Sequence, residues 1–377
     1  MNAKNLTQAI KSEATHLGFD LVGIAPHSPP PHANALDDWV GAGYAGEMHY
    51  MDRAIERRKD PRVLFPEGHS IIVVGKHYRM AELLERVWRD PSRARIARYA
   101  WGADYHDVLL PRLHQLVEFI EAQTERSLRA REYVDTGALL ERPVAVAAGL
   151  GFIGRNTLLI HPRQGSFLFL SEILVDLELE PNLDPARVSC GTCTRCLQIC
   201  PTNAFVAPYV LDARLCIAYL TIEYKGPIPR ELRPLMGNRI FGCDDCQEVC
   251  PWNIRFGASG DAEFFKLDPD RIAPPLLDLI SLDDDAFRKR FAKTPLTRSK
   301  RRGLLRNVAV AIGNWGDPQT VPALVNALRD AEPLIRGHAA WALGRISSGD
   351  AHKSLSQRWA IEEDAWVREE IQVALEN

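Results

Sequence analysis

Cysteine is absent from most of this chain. All eight cysteines of its 377 residues fall between positions 190 and 250, so no disulfide can staple the remainder and nothing points to an oxidising compartment. Long apolar runs are missing too: none approaches the ~18 residues that a membrane span needs. The opening stretch MNAKNLTQAIKSEATHLGFD has no apolar signal-peptide core. These absences lead to the expectation of a cytoplasmic protein with no membrane association, where reduced thiols suit iron–sulfur assembly. An excess of one charge is also lacking. The formal net charge is −3, with 46% apolar and 25% charged residues, which is ordinary for a soluble protein and by itself names no partner. The length suffices for two or three domains and a substantial core.

What is present is concentrated in the cysteine stretch. It reads CGTCTRCLQICP from Cys190, then Cys216, then CDDCQEVCP from Cys243. The first run has the C-x2-C-x2-C-x3-C-P spacing of bacterial ferredoxins, in which three close thiolates hold one [4Fe–4S] cube and the fourth ligates the other. The second run lacks one cysteine, and Cys216 is the thiol left to supply it. The crossed assignment gives Cys190, Cys193, Cys196 and Cys250 to one cluster, and Cys200, Cys216, Cys243 and Cys246 to the other. The alternative is a pair of four-cysteine zinc sites, but these usually draw ligands as separated C-x2–4-C pairs.

Charge is local rather than global. Residues 286–306 carry nine Lys/Arg (Arg288, Lys289, Arg290, Lys293, Arg298, Lys300, Arg301, Arg302 and Arg306) and no acid. Such a block suggests a polyanion site; the competing readings are a solvated face or a seam against Asp283, Asp284 and Asp285. The apolar segments LLRNVAVAIG (304–313) and IRGHAAWALG (335–344), with VREEIQVAL at 367–375, recur at about 31 residues. They resemble α-solenoid units with a period below the usual ~40 residues.

Before the cysteines, helical spacing marks 5–17 and 107–122, and strands are predicted at 20–25, 70–74, around 133–134 and within 166–177. Asp135 follows Tyr133 and Val134 at a strand tip. A carboxylate there, beside the apolar run 143–150, would act as a proton donor with a raised pKa, or simply cap the next helix. His106 alone reads as a helix-start or packing residue. GLGFIG spells G-x-G-x-x-G, but it follows a helix-like stretch, so a dinucleotide site is a weak reading. The expected architecture is α+β and multidomain: an α/β domain at 1–180, a ferredoxin-like double [4Fe–4S] domain at 181–260, and a basic segment with HEAT-like α-solenoid repeats at 261–377.

Taken together, GFDLVGIAP, RKDP, RYAWGADYHD, EYVDTG, ERPVA, GLGFIGRNTLLI, the two cysteine runs, TIEYKGPIP and GNRIFGCDDCQEVCPWN resemble the epoxyqueuosine reductase family over nearly the whole chain. The resemblance implies a cobalamin enzyme related to reductive dehalogenases, with the cofactor bound base-off by the α/β domain and the cluster domain. It makes Asp135 the proton donor rather than a simple cap. It also implies Arg58, Trp101, His106, Asp135, Arg155, Asn156, Lys225 and Asp244 as cofactor contacts. The implied partners are a tRNA bearing epoxyqueuosine and an external electron donor such as a ferredoxin or flavodoxin, with the chain a monomer. Ala138 departs from the proline expected after VDTG. No D-x-H-x-x-G motif occurs, in keeping with base-off binding. Rival readings are a dehalogenase-like reaction on a small molecule, and a ferredoxin-type electron carrier without chemistry of its own.

Overall fold

A computed structural model of the chain describes residues 2–79, 85–182, 188–256 and 269–376. It divides into two compact units that interleave along the sequence. One comprises Met1–Ala81, Gly102–Ala213 and Asp244–Phe265; the other comprises Glu82–Trp101, Arg214–Cys243 and Lys266–Asn377. These units do not follow the boundaries 180 and 260. The cysteine stretch is shared, with Cys216 and Cys243 in the second unit and the other six in the first.

The first unit is built on a four-stranded sheet in the order Leu21–Pro26, Ser70–His77, Leu168–Val175, Ala130–Tyr133. Every neighbouring pair is antiparallel. Ser70–His77 is buried at all eight positions, because both faces of the sheet are covered. Helix Ala3–His16, capped by the Asn2 side chain, packs beside helix Tyr105–Thr124. The latter buries Leu109, Leu113, Leu116 and Ile120 at helical spacing. The other face lies under helix Glu141–Ala147, in a cluster that includes Leu21, Ile71, Val73, Val144, Ala145 and Leu174. Each of the valine, leucine and isoleucine side chains contributes about 1.5–3 kcal/mol on burial.

The second unit is mainly helical. Helices Lys300–Trp315, Pro333–Ile346 and Ala365–Glu376 stack in sequence. Gly313 and Gly344 do not end their helices, which run on to Trp315 and Ile346. They are contact points instead: a Cβ on Gly344 would lie 2.8 Å from Ala374 Cα, and one on Gly313 would lie 2.9 Å from Ala342 Cα. The segment 217–241 is tied onto these helices through buried polar groups. Arg306 is fully buried and donates to the carbonyls of Leu220, Tyr224 and Gly226. Asn307 Nδ2 donates to Thr221 O and Ile240 O, and Arg233 pairs with Glu370 at 2.8 Å. Among the described residues no helix is long and apolar enough to cross a membrane.

Candidate functional site

Asp135 lies two residues past the end of strand Ala130–Tyr133, with φ at +55°. That is left-handed backbone, which aspartate tolerates better than most residues. It does not cap the next helix, whose N-cap position is Leu140 and carries no side-chain bond. Since the sheet is antiparallel, the strand-end rule for open parallel sheets does not apply; the loop itself presents this carboxylate. Tyr105 Oη donates to Asp135 Oδ2 at 2.7 Å. The Tyr105 ring stacks on Phe169 on one side and on His106 on the other, with centroids 4.6 and 4.1 Å away. Asp104 caps the Tyr105 helix, and its Oδ1 is 2.6 Å from His106 Nδ1. One helix start therefore holds the tyrosine that holds the aspartate.

Two glutamates complete this group. Glu141, the first residue of its helix, receives a hydrogen bond from the Asp135 backbone N–H. Burial and the neighbouring Asp135 charge push its carboxyl up to about 8, against the opposing pull of Arg142 and Arg58. Glu172 is 0% exposed, and neither of its carboxyl oxygens has a hydrogen-bond partner. In the sheet it stands opposite Val73 on one side and Tyr133 on the other. Burial first, then the charges of Glu141 and Asp135, raise it well above the ordinary carboxyl range. Neither glutamate was singled out from sequence. The signal for Glu172 was there, as one acid within the apolar strand LFLSEILV.

A second constellation surrounds a cavity of about 240 Å³ in the same unit. Cys190, Cys193, Cys196 and Cys250 line it with Asn156, Arg195, Trp252 and Arg255. Burial, then the neighbouring cysteines, pushes up the Cys196 thiol; burial is also the largest influence raising Cys250. Thiols crowded in this way favour a cation among them. Among the described residues no three His, Cys, Asp or Glu side chains converge as one ion would require. Gly151, at φ +154°, permits the hairpin Phe152–Ile153/Leu159–Ile160, since a Cβ there would lie 2.3 Å from Ile160 O. The hairpin turn sets Arg155 N 3.4 Å from Cys190 Sγ and its guanidinium 2.7 Å from Gly191 O. Asn156 Nδ2 reaches Cys246 O at 3.4 Å. The glycines of GLGFIG thus build a cluster-side turn rather than a dinucleotide loop.

The remaining expected contacts fall in both units. Arg58 is half-buried, donates to Tyr50 O and lies within electrostatic reach of Glu141. Asp244 is buried and accepts from Gln247 Nε2. In the second unit, Lys225 donates to Ile222 O at 2.6 Å, and burial lowers its pKa. Trp101 is 2% exposed, its indole N–H donates to Ile96 O, and Arg98 lies over its ring. The structure gives Trp101 packing work.

Three family models match the chain: a 4Fe-4S double cluster binding domain over residues 189–253, epoxyqueuosine reductase QueG over 58–136, and HEAT repeats over 296–376. Among curated relatives, an epoxyqueuosine reductase of Pseudomonas aeruginosa is 44% identical, with 90% of this chain and 94% of that protein covered. That of Escherichia coli is 40% identical, covering 92% and 90%. Among solved structures, an epoxyqueuosine reductase bound to an epoxyqueuosine-modified tRNA stem loop superposes with a TM-score of 0.91 at 31% identity, covering 100% of this chain and 99% of that one. The Bacillus subtilis enzyme, solved with its catalytic aspartate loop swung out of the active site, gives 0.90 at 30% identity and the same coverage.

Proposed function

The chain belongs to the epoxyqueuosine reductase family, a family of oxidoreductases, and on that footing we propose that it reduces epoxyqueuosine to queuosine in the anticodon loop of a tRNA. The change removes the epoxide oxygen as water and leaves an alkene, consuming two electrons and two protons. The observation that carries this reading is the Asp135 carboxyl, held by Tyr105 on a left-handed loop. The Bacillus subtilis relative was solved with an aspartate-bearing catalytic loop swung out of its active site, and Asp135 is the proposed counterpart of that aspartate.

Asp135 protonates the departing oxygen. An alkoxide is a poor leaving group, and a positioned general acid typically contributes ~10²–10⁴-fold. Tyr105 fixes the carboxyl, and its ring is itself held by stacking on Phe169 and His106. Cys190, Cys193, Cys196 and Cys250 would hold one [4Fe–4S] cluster, and Cys200, Cys216, Cys243 and Cys246 the other. The cavity bounded by the first four thiols supports that assignment. An external ferredoxin or flavodoxin would supply the electrons to a monomeric chain.

Base-off cobalamin, when bound, supplies a strongly reducing and nucleophilic metal centre. The buried Nε atoms of Arg58 and Arg155 have no partner, and such donors suit the carboxamide fringe of a corrin. His106, Asn156, Lys225 and Asp244 join them in the proposed contact set. Trp101 does not, since its one polar atom is already spent on Ile96. A flexible anticodon loop can present its base for reaction at less cost than a duplex.

The test is single-turnover conversion of epoxyqueuosine-containing tRNA with intact clusters, added cobalamin and a strong reductant. Queuosine should form only when cobalamin is included. Asp135→Asn should keep its iron and cofactor and lose at least a hundredfold in rate. Conversion by that variant at the wild-type rate would remove Asp135 from the mechanism. No conversion by fully loaded wild-type protein would remove the tRNA substrate.

A further inference from the structure

The turn between strands Phe152–Ile153 and Leu159–Ile160 is held at several points. Gly154 N donates to Leu158 O, Arg142 Nη1 donates to Thr157 O at 2.6 Å, and the Arg155 carbonyl accepts from Tyr209 N at 3.0 Å. Arg155 is thereby fixed where it meets the first cysteine run. Its backbone N–H lies 3.4 Å from Cys190 Sγ, and its Nη2 donates at 2.7 Å to Gly191 O, the next residue of that run. Its Nε is buried, so the guanidinium is partly withdrawn from water. No part of the proposed reaction uses these two contacts.

The cavity they adjoin is one-sided in charge. Arg195 and Arg255 line it together with Cys190, Cys193, Cys196 and Cys250, and no Asp or Glu does. Both of those arginines are exposed, where water and salt screen a charge strongly. Arg155 is half-buried and carries its charge beside a cysteine. A four-thiolate cluster is an anion, and one electron adds a further negative charge to it. Hydrogen bonds to the sulfurs and nearby positive charge favour that reduced form, which raises the reduction potential.

We propose that Arg155, acting through Cys190 as a positioning residue, holds up the reduction potential of the cluster bound by Cys190, Cys193, Cys196 and Cys250, and so favours uptake of an electron from the external carrier. The inference rests on the reading of these four cysteines as cluster ligands. In the step, one electron passes from the ferredoxin or flavodoxin to the cluster. The carrier is oxidised, the cluster is reduced, and no bond or proton is exchanged. The Nε of Arg155 takes part in neither contact, which leaves it open to the corrin.

The experiment is a redox titration of the full chain with both clusters loaded, using dithionite and mediators and followed by electron paramagnetic resonance. Wild type, Arg155→Gln, Arg155→Lys, Arg155→Glu, Arg195→Gln and Arg255→Gln are compared, each checked for iron, sulfide and circular dichroism. Cys190→Ala marks the titration step that belongs to this cluster. Arg155→Gln keeps the backbone N–H and loses the charge. At a fixed solution potential its reduced-to-oxidised ratio in that step should fall on the order of tenfold, which is ~59 mV for a one-electron couple. Arg155→Glu should move further the same way, and Arg155→Lys should stay close to wild type. Arg195→Gln and Arg255→Gln should each shift the step much less. Should Arg155→Gln lose iron, the Lys and Glu variants make the same comparison. An unmoved midpoint in Arg155→Gln would overturn the proposal. So would a Lys variant displaced as far as the Gln variant, because the lost Gly191 contact and not the charge would then be responsible. Equal displacement in all three glutamine variants would also overturn it, leaving a general field with no special place for Arg155. If Cys190→Ala leaves iron content and both titration steps unaltered, the cluster reading of these cysteines fails. If Cys190→Ala does perturb a step while Arg155→Gln does not, the cluster stands and only the role of Arg155 falls.

Discussion

Glu172 is the residue at which stability and chemistry pull apart. A neutral acid sealed beside Val73 and Tyr133 has lost its water and gained no partner. Such a buried polar group costs about 1–3 kcal/mol by mutational standards. Glu172→Leu should therefore raise stability by an amount in that range, in a core that already contains Leu170 and Leu174. The pH dependence has a definite sign. Because the folded-state pKa is raised above 4.5, the folded chain holds a proton that the unfolded chain releases, and stability is lost as pH rises through that window. The advantage of Glu172→Leu over wild type should thus widen from acidic to alkaline pH in chemical denaturation. A variant less stable than wild type at every pH would show that the acid has a partner after all.

At the scale of elements, the helical repeats explain why their glycines recur. Gly313 and Gly344 lie 31 residues apart, each at the place where one helix meets the next. With a Cβ 2.8 Å from Ala374 Cα and 2.7 Å from its Cβ, Gly344→Ala would force helices Pro333–Ile346 and Ala365–Glu376 apart. Overpacking of this kind costs about 1–3 kcal/mol. The expected result is a lower thermal midpoint, while the set Cys190, Cys193, Cys196 and Cys250, which lies wholly in the other unit, is unaffected. An unchanged midpoint would mean that the helices can slide to make room. The period is legible in the sequence as a pattern of apolar residues, without any sign of what its glycines do. Only the neighbouring helix shows them to be contacts.

For the molecule as a whole, the basic block is less of an electrostatic footprint than its nine charges suggest. Arg306 is a buried strut. Arg301 pairs with Asp330, Arg298 with Glu223 and Arg288 with Asp285. Lys289, Arg290, Lys293 and Lys300 stay exposed, with no ion pair among the described residues. Each phosphate contact on RNA contributes about 0.7 to 0.9 to the dependence of log affinity on log salt. The double substitution Lys289→Ala/Arg290→Ala should lower that slope for stem-loop binding by about 1.5 and weaken affinity for any RNA sequence alike. An unchanged slope would move the RNA contact off this segment.

The sequence alone determined the redox class, because ligand spacing is a local property: C-x2-C-x2-C-x3-C-P carries its chemistry within twelve residues. It also determined the main strands and helices, through apolar periodicity, and the family, through motifs such as EYVDTG and GLGFIGRN. It marked Asp135 but left two roles open, a cap or an acid. The structure rules out the cap, with Leu140 at the N-cap position and the Tyr105 hydroxyl donating to the Asp135 carboxyl. Tertiary structure alone decided which charges are spent as struts, and that Glu141 and Glu172 share the neighbourhood of Asp135. Burial and Coulomb interactions act through space between residues distant in the chain. No spacing rule encodes them, and a lone glutamate in an apolar strand acquires its meaning only when the sheet closes over it.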